Sequence, residues 1–424
     1  MRPREVAAWA MYDFANSGYT TVVITAVFNA YFVAVVAGDA PWATLAWTLT
    51  LAVSYAAVMV TAPVLGAYAD RHAAKRRLLV ASTLGCVAAT AALALAGPGA
   101  LALTCVLVAV SNFFFSTGEN LIAAFLPELA KGKALGKVSG WGWGLGYLGG
   151  LVALGASLAY VTAAQARGES AAQFVPVTML LTAAIFLIAS LPTLVWLRER
   201  AEPRPAPGTG LVAEALGRVA DTLRHARAFQ DLGRFLVCLV CYQAGVQAVV
   251  ALAAIYAQQA MGFTTRDSIT LILAVNVTAA LGALAFGQVQ DRLGHVRTIA
   301  LTLAGWIATV VLAWWATDRA TFWVAANLAG LSLGASQSAG RALVGYLSPR
   351  DRRAEFFGLW GLAVKLSSIL GPVTYGLASW LTRGDHRLAM LTTGAYFVAG
   401  LALLAGVDPR RGRRAALRAA RASA

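Results

Sequence analysis

Charged side chains are scarce in this 424-residue chain. Only 12% of its residues are Asp, Glu, Lys or Arg, whereas 59% are apolar and the mean hydropathy is +0.68. Soluble domains carry about 25% charged residues, so the composition excludes an ordinary soluble fold. Apolar runs of about 20 residues, the length that crosses a bilayer core, recur along the whole chain. The sequence therefore indicates a multi-pass membrane protein.

Histidine, cysteine and nucleotide-binding motifs are also rare. The four histidines are scattered among predicted loops, which disfavours the clustered catalytic groups of a membrane enzyme. All four cysteines lie in predicted helices; Cys238 and Cys241 form a CxxC without a second pair, which indicates packing rather than a metal site. The segment GKALGKV departs from the spacing of a phosphate-binding loop, which disfavours an ATP-driven pump. We expect no enzyme activity, no catalytic residue, no cofactor and no metal.

Twelve apolar runs are long enough to span a membrane as helices. Each is bounded by Gly, Pro or charge, and each exceeds the ~10-residue strands of outer-membrane barrels. We therefore predict an all-α integral membrane protein. The predicted helices cover residues 14–37, 44–66, 78–97, 100–123, 138–161, 174–197, 233–257, 268–288, 298–316, 320–342, 356–379 and 388–407.

The 34 Lys and Arg residues are distributed unevenly between the predicted loops. With a cytosolic N-terminus, 28 fall on the cytosolic side, five fall outside, and the last, Lys365, lies within a helix. The positive-inside rule then predicts that both termini are cytosolic. Because no convincing cleavable signal precedes the first helix, we expect a cell (inner) membrane protein.

The basic C-terminal segment RRGRRAALRAAR contributes to the net charge of +15. Basic clusters beside a membrane attract anionic lipid headgroups, and an RNA-binding arm is the alternative. We predict that membrane lipids with anionic headgroups are partners and that nucleic acid is not.

A loop motif, G-x-x-x-D-R, occurs twice. It follows the second predicted helix as GAYADRHAAKRR and the eighth as GQVQDRLGHVR, at an offset of 221 residues, while Pro127 and Pro349 give an offset of 222. The chain is therefore predicted to be a duplicated six-helix unit. Gly66 would allow two helices to approach closely, and Asp70 would accept from a helix N-terminus. The motif residues are Gly66, Asp70, Arg71, Arg77, Gly287, Asp291 and Arg292.

These landmarks divide the chain into four predicted segments. They are an N-terminal six-helix bundle over 1–197, a central cytosolic loop with an amphipathic helix over 198–232, a C-terminal six-helix bundle over 233–409, and a basic cytosolic tail over 410–424.

Six plus six helices with this loop motif in both halves resemble the major facilitator superfamily. The blocks WAMYDFANSGYTTVVITAVFNAYF and AEFFGLWGLAVKLSSILGP, supported by GASQSAGRAL, are similar to the branch of the autophagy-related vacuolar amino-acid effluxer and its bacterial relatives. The resemblance implies two pseudo-symmetric bundles, a monomer, and transport by alternating access. It also implies that the first, fourth, seventh and tenth helices line a central cavity.

Four charges near predicted helix ends form opposite-sign pairs under the repeat. The offset of 222 relates Glu119 to Arg341, and the offset of 221 relates Asp13 to Arg234. With Asn120 from the same polar stripe as Glu119, we predict a cytosolic gate that closes by ion pairing. The alternative is that these side chains reach lipid headgroups or cap helix ends.

Lys365 is predicted near mid-membrane, where a charge costs roughly 2.5–3.5 kcal/mol. No Asp, Glu or His is predicted at the same depth, so we expect Lys365 to bind a substrate carboxylate or to carry a coupling proton. A lysine that bonds a backbone carbonyl is the alternative. The neutral residues predicted to complete the pocket are Gln243, Gln247, Asn276 and Trp360.

The fifth predicted helix contains six glycines in GWGWGLGYLGG. Gly142, Gly146 and Gly150 share one helix face, which predicts close helix packing. A flexible helix that assists movement of the two halves is the alternative.

The predicted function is secondary active transport of a small polar solute, with an amino acid or a similar metabolite as the expected cargo implied by the resemblance. Proton coupling is one option for the driving force. The alternatives are a nutrient sensor that does not transport, and efflux of a drug or a lipid. Charged residues at membrane depth favour a polar cargo over a lipophilic one.

Overall fold

Long helices account for nearly all of the structure, a computed structural model that describes residues 3–125, 129, 134–200, 210, 212–213, 217, 220, 229–348 and 353–422. Among those residues, ten helices are long and apolar enough to cross a membrane. The predicted tenth and eleventh spans are continuous helices of 29 residues each, although they fall outside that set of ten. The predicted all-helical membrane architecture is confirmed.

The observed helices match the predicted ones in order, and several extend further at their ends. The first begins at Pro3 rather than at residue 14, so Asp13 lies within it and not at its mouth. The helices are α1 (Pro3–Val36), α2 (Ala43–His72), α3 (Lys75–Ala92), α4 (Leu101–Ala123), α5 (Ala134–Ala166), α6 (Ala171–Trp196), α7 (Gln230–Met261), α8 (Thr265–Leu293), α9 (His295–Trp315), α10 (Arg319–Leu347), α11 (Arg353–Leu381), α12 (His386–Leu404) and α13 (Pro409–Ala422).

The chain separates into two compact units. The first comprises Met1–Leu216, Ala253–Gln258 and Gly262–Leu273, and the second comprises Gly217–Leu252, Gln259–Met261 and Ala274–Ala424. The division between Leu216 and Gly217 falls inside the predicted central loop, but short stretches around the end of α7 and the start of α8 group with the first unit. The predicted amphipathic helix near 211–229 lies largely outside the described residues.

The two units repeat the same set of helix contacts. In the first unit, α3 packs against α4 and α6, and α5 packs against α6. In the second unit, α9 packs against α10 and α12, and α11 packs against α12. Each pair is separated by six places in helix order, as a duplicated six-helix unit predicts.

Glycine allows the closest helix crossing in each unit. A Cβ added at Gly149 of α5 would overlap the carbonyl of Phe14 in α1, and a Cβ added at Gly371 of α11 would overlap the carbonyl of Ala244 in α7. Small residues permit such backbone approach, which supplies van der Waals attraction between helices that lipid would otherwise separate. These crossings fix α1 on α5 and α7 on α11.

The other glycines of the α5 motif also face α1. An added Cβ at Gly142 would meet Asp13, and at Gly146 and Gly150 it would lie 3.0 and 3.2 Å from side chains of α1. The predicted close packing of this helix face is confirmed. At Gly66, by contrast, no described atom lies within 4 Å of the added Cβ, so the predicted close approach there is wrong.

Two stretches of α1 are wound as π-helix, over Thr20–Ala26 and over Phe32–Val36. In the first, the amide of Val27 donates to the carbonyl of Val22 at 3.0 Å, five residues back. Short π segments are rare and are frequent at functional sites. The first begins directly after Tyr19, which bears on the polar cluster described below.

A buried carboxylate closes the N-terminal end of the first unit. Glu5 in α1 is 5% exposed and accepts from Arg200, just beyond α6. Nearby, Thr193 of α6 donates its hydroxyl to the carbonyl of Ala8 at 2.6 Å. These bonds tie the first helix of the unit to its last helix.

The second unit has an equivalent tie. Asp231 in the first turn of α7 is 3% exposed and accepts from Arg411 of α13 through two bonds, of 2.7 Å from Nε and 2.6 Å from Nη2. The same carboxylate accepts from the amide of Asp408 at 3.0 Å, and Arg413 donates to the carbonyl of Tyr346 in α10 at 3.1 Å. The basic tail is therefore a helix docked on its own unit.

We expect Gly149→Ala to lower the apparent melting temperature of the purified protein, because the new methyl group meets a backbone carbonyl that cannot move freely. Overpacking of this kind costs about 1–3 kcal/mol. The control is Gly144→Ala on the same helix, where an added Cβ meets nothing within 4 Å. Since Ala favours a helix over Gly by up to about 1 kcal/mol, the control should be neutral or stabilising. Equal melting temperatures for the two variants would contradict the proposed crossing.

We also expect Arg411→Gln to release α13, because it removes two charge-assisted bonds and leaves the buried Asp231 carboxylate without its cation. Limited trypsin digestion should then cleave within 409–422 several-fold faster than in the native protein. Arg418→Gln is the matched control, since it removes the same charge and one cleavage site from an exposed position of the same helix. Equal cleavage of both variants would show that the Asp231 pair does not hold the tail.

Candidate substrate-binding and gating residues

A tyrosine on the first helix of each unit reaches a glycine on the fourth. The Tyr12 hydroxyl occupies the space beside Gly118 of α4, and the Tyr242 hydroxyl occupies the space beside Gly340 of α10. Gly118 and Gly340 are 222 residues apart, the predicted offset, but Tyr12 and Tyr242 are 230 apart. The first helices of the two halves therefore correspond with an offset of 230.

The glycine crossings support this value independently. Gly149 and Gly371 are separated by 222 residues, while the carbonyls that they contact, of Phe14 and Ala244, are separated by 230. Asp13 therefore corresponds to Gln243, and its predicted counterpart Arg234 is wrong. The error arises because the offset of 221 came from a loop between later helices, and the segment between the halves has a different length.

Arg234 and Asp13 each have a local role that the sequence did not reveal. Arg234 is exposed in the first turn of α7 and donates to the carbonyl of Gly406, just after α12, at 3.3 Å. Asp13 is half-buried on α1 and lies against Gly142 of α5. The capping alternative therefore describes Arg234.

The polar stripe on α4 divides into a buried part and an exposed part. Asn112 is fully buried and donates from Nδ2 to the Ser54 hydroxyl of α2 at 3.0 Å. Ser116 is also fully buried, whereas Glu119 and Asn120, one turn further along, are exposed. Only the second part is open to solvent or to a partner.

A glutamine pair links α7 and α10 in the second unit. Gln243, 3% exposed, donates from Nε2 to Oε1 of Gln337 at 3.0 Å. The Oε1 of Gln243 has no hydrogen-bond partner among the described residues. Gln247 is half-buried one turn further along α7, and Asn276 is half-buried on α8. The predicted pocket residues thus include one buried amide with a free acceptor.

Arg341, a predicted gate residue, contacts Trp360, a predicted pocket residue. The guanidinium carbon lies 5.3 Å from the centre of the indole ring, and both side chains are half-buried. A cation over an aromatic face is stabilised by about 0.5–2 kcal/mol, more when water is excluded. The structure therefore joins two residues that were predicted to act separately.

Lys365 lies near the middle of α11, twelve residues after its start and sixteen before its end. Its ammonium is carried about 18 Å along the helix axis from the first residue of α11. Two residues later, the Ser367 hydroxyl donates to the carbonyl of Val240 in α7 at 3.0 Å, so this part of α11 packs on α7. Lys365 is half-buried and also has interactions within the protein.

The repeated loop motif is described only in part. Arg71 is half-buried and Arg77 is exposed, while the side chains of Asp70, Gly287, Asp291 and Arg292 lie outside the described residues. The N-terminus of α3 is occupied by a different acid, since both oxygens of Glu199 accept from backbone amides, of Lys75 at 2.9 Å and of Arg76 at 3.1 Å. Across the described part of the chain, no three His, Cys, Asp or Glu side chains gather as metal ligands would.

Sequence reasoning missed three features of these sites: the pair of equivalent tyrosines, the partner Gln337, and the buried amide of Asn16. The tyrosines could have been found by aligning the first helix of each half separately, since Tyr12 and Tyr242 are both followed by a polar residue. Gln337 lies in the block GASQSAGRAL, which was used only for the resemblance.

Comparison with known proteins agrees with this architecture. The family described as "Vacuole effluxer Atg22 like" matches residues 43–417. A protein of Bacillus subtilis (strain 168) described as "Uncharacterized MFS-type transporter YxiO" is 27% identical over 407 residues, which cover 94% of each chain. Autophagy-related protein 22 of Yarrowia lipolytica is 24% identical over 344 residues, 73% of this chain and 57% of the fungal protein.

Solved structures share the same fold at low sequence identity. The nucleoside transporter NupG superposes with a TM-score of 0.69 at 14% identity, covering 96% of this chain and 99% of its own. An inward-facing bacterial homologue of the human lysosomal transporter Spinster gives a TM-score of 0.68 at 11% identity, covering 99% and 98%. The predicted major facilitator fold is confirmed, and so is the expectation that the protein is not an enzyme.

Proposed function

Because the chain belongs to the vacuole effluxer Atg22-like family of major facilitator transporters, we propose that it moves an amino acid or a similar zwitterionic metabolite across the cell membrane. The transport cycle would be alternating access with both termini in the cytosol, and the protein would work as a monomer. A proton is the coupling ion that we propose to test first.

The observation that carries this proposal is the position of Lys365. An ammonium group in the middle of a long helix, about 18 Å from its start, is costly to insert and is usually retained for function. It can bind a carboxylate by a charge-assisted bond, which suits an amino acid better than a lipophilic drug. The ligand would share or displace the interactions that Lys365 already makes within the protein.

The neighbouring side chains in the second unit fit a polar ligand. Gln243 offers a buried carbonyl oxygen, and the Arg341 guanidinium over Trp360 adds a second cation on α10. On α7 numbering, the Ser367 contact places Lys365 near Cys238, about one and a half turns from Gln243. The cations and the amide therefore lie along one short stretch of α7, α10 and α11.

We further propose that Glu119 and Arg341 act in gating. They occupy equivalent positions of the repeat, directly after Gly118 and Gly340, which each receive a tyrosine hydroxyl. Opposite charges at equivalent positions can pair in one conformation and separate in another. The contact of Arg341 with Trp360 would be the resting position of that cation when the pair is open.

The cargo is tested by uptake into proteoliposomes that contain the purified protein. A panel of radiolabelled amino acids, with and without a pH gradient, should show saturable uptake of at least one amino acid. Stimulation by the gradient would support proton coupling. If no amino acid is transported but a drug or a lipid is, the proposed cargo is wrong; if ligands bind without transport, a sensor is favoured.

Lys365→Met should reduce uptake of the transported amino acid by about 10- to 100-fold, since a hydrogen bond to a charged group contributes about 1.5–3 kcal/mol. The charge-retaining control, Lys365→Arg, should keep part of the activity because it preserves the positive charge with a different shape. Full activity of Lys365→Met would remove this residue from the mechanism.

The gating proposal is tested by exchanging the two charges. Glu119→Arg and Arg341→Glu alone should each reduce transport strongly, because each places like charges at the two positions. The double variant should recover a substantial part of the activity. If it transports no better than either single variant, the two residues do not act as a pair.

A further inference from the structure

Asn16 on α1 is a buried amide with unsatisfied hydrogen-bonding groups. Its side chain is only 6% exposed, and neither Nδ2 nor Oδ1 has a hydrogen-bond partner among the described residues. Buried amides in proteins are nearly always paired, since an unpaired donor and acceptor forfeit their bonds to water. The position therefore calls for an explanation in terms of a ligand.

Other polar side chains of the same helices satisfy themselves locally. On α1, Asn29 is fully buried, yet it donates from Nδ2 to the carbonyl of Thr25 at 3.0 Å and accepts from the amide of Ala30 at 2.8 Å. The hydroxyls of Thr20 and Thr21 donate to carbonyls four residues earlier. Asn16 departs from this pattern on its own helix.

Two contacts on either side of Asn16 fix the surface that it faces. Tyr12, one turn before, reaches Gly118 of α4, and Tyr19, one turn after, shares a hydrogen bond of 2.8 Å with Ser111 of α4. Residues 12, 16 and 19 lie on one helix face. Since α1 and α4 run antiparallel through these contacts, Asn16 is level with the stretch of α4 between Ser111 and Gly118.

That stretch of α4 holds further unsatisfied polar groups. Asn112 and Ser116 are fully buried, and Thr117 is 7% exposed. The Asn112 Oδ1, the Ser116 hydroxyl and the Thr117 hydroxyl have no hydrogen-bond partner among the described residues. Together with Asn16, the cluster presents mainly acceptor oxygens, and its members are neutral. It suits the donor-rich end of a ligand better than a carboxylate.

We propose that Asn16, Asn112 and Ser116 form a subsite in the first unit that binds the amino group of the transported solute. This assignment rests on the proposed function and names the part of the solute that the first unit recognises. The ammonium donates to the amide oxygens and to the serine hydroxyl, while Nδ2 of Asn16 is available to an acceptor on the same solute. The π-helical turn that follows Tyr19 begins at this level of α1.

The test uses the full-length protein in detergent and measures the shift of its melting temperature with a panel of compounds. The panel holds the amino acids of the uptake assay, the matching carboxylic acids without the amino group, and the matching amines without the carboxylate. Asn16→Leu should weaken binding of the amino acids and the amines by about 10- to 100-fold. It should leave the affinity for the carboxylic acids unchanged.

Asn29→Leu is the matched control, since it removes a buried amide from the same helix. Without ligand it should lower the melting temperature, because Asn29 is paired with backbone groups. Asn16→Leu without ligand should melt at the same temperature as the native protein or higher, because it removes unpaired polar groups. A loss of stability in Asn16→Leu as large as in Asn29→Leu would overturn the proposal by showing a structural role.

The outcomes separate this inference from the proposed function. If the native protein binds amines but not amino acids, and Asn16→Leu loses them, the proposed cargo fails and the subsite stands. If the native protein binds amino acids and Asn16→Leu weakens amines and carboxylic acids equally, or neither, the subsite fails and the cargo stands. If the native protein binds no compound that carries an amino group, the subsite is overturned.

Discussion

The contact between a glycine and a backbone carbonyl is the constraint on which both halves of this transporter depend. In hydrocarbon, apolar side chains gain little from leaving lipid, so helices associate by close van der Waals packing where side chains are smallest. Gly149 on the Phe14 carbonyl and Gly371 on the Ala244 carbonyl provide that closeness. Each crossing sets the rotation of the first helix of its unit, and that rotation determines which way Asp13 and Gln243 face.

Much of the fold could be predicted from the sequence because membrane helices announce themselves by length and apolar composition. The glycine face of α5 was also predictable, since 4-residue spacing places Gly142, Gly146 and Gly150 on one side whatever the partner. The correspondence between the halves was predictable only piece by piece. Loops gave an offset of 221 or 222, but the segment between the halves shifts the first helices to 230, as Tyr12 and Tyr242 show.

The candidate site could be predicted less well, because a sequence does not show whether a buried polar group is satisfied. Asn16 and Asn29 are both single asparagines in one apolar helix, thirteen residues apart. One is bonded to its own backbone and the other is not, a difference that arises from side-chain rotation and from the neighbouring helix. Charges are easier to recognise, since an ionised group such as Lys365 is costly in any helix of this kind.

Duplication has kept the framework of the two units and changed their chemistry. The tyrosine and glycine contacts and the terminal carboxylates, Glu5 and Asp231, recur in both units. The polar groups do not recur: Asp13 corresponds to Gln243, and the glutamine pair and the mid-helix lysine belong to the second unit alone. Since a zwitterion has two unlike ends, two similar frameworks with unlike polar groups are the simplest arrangement that recognises it. The asymmetry therefore supports a solute with distinct ends over one that is uniformly apolar.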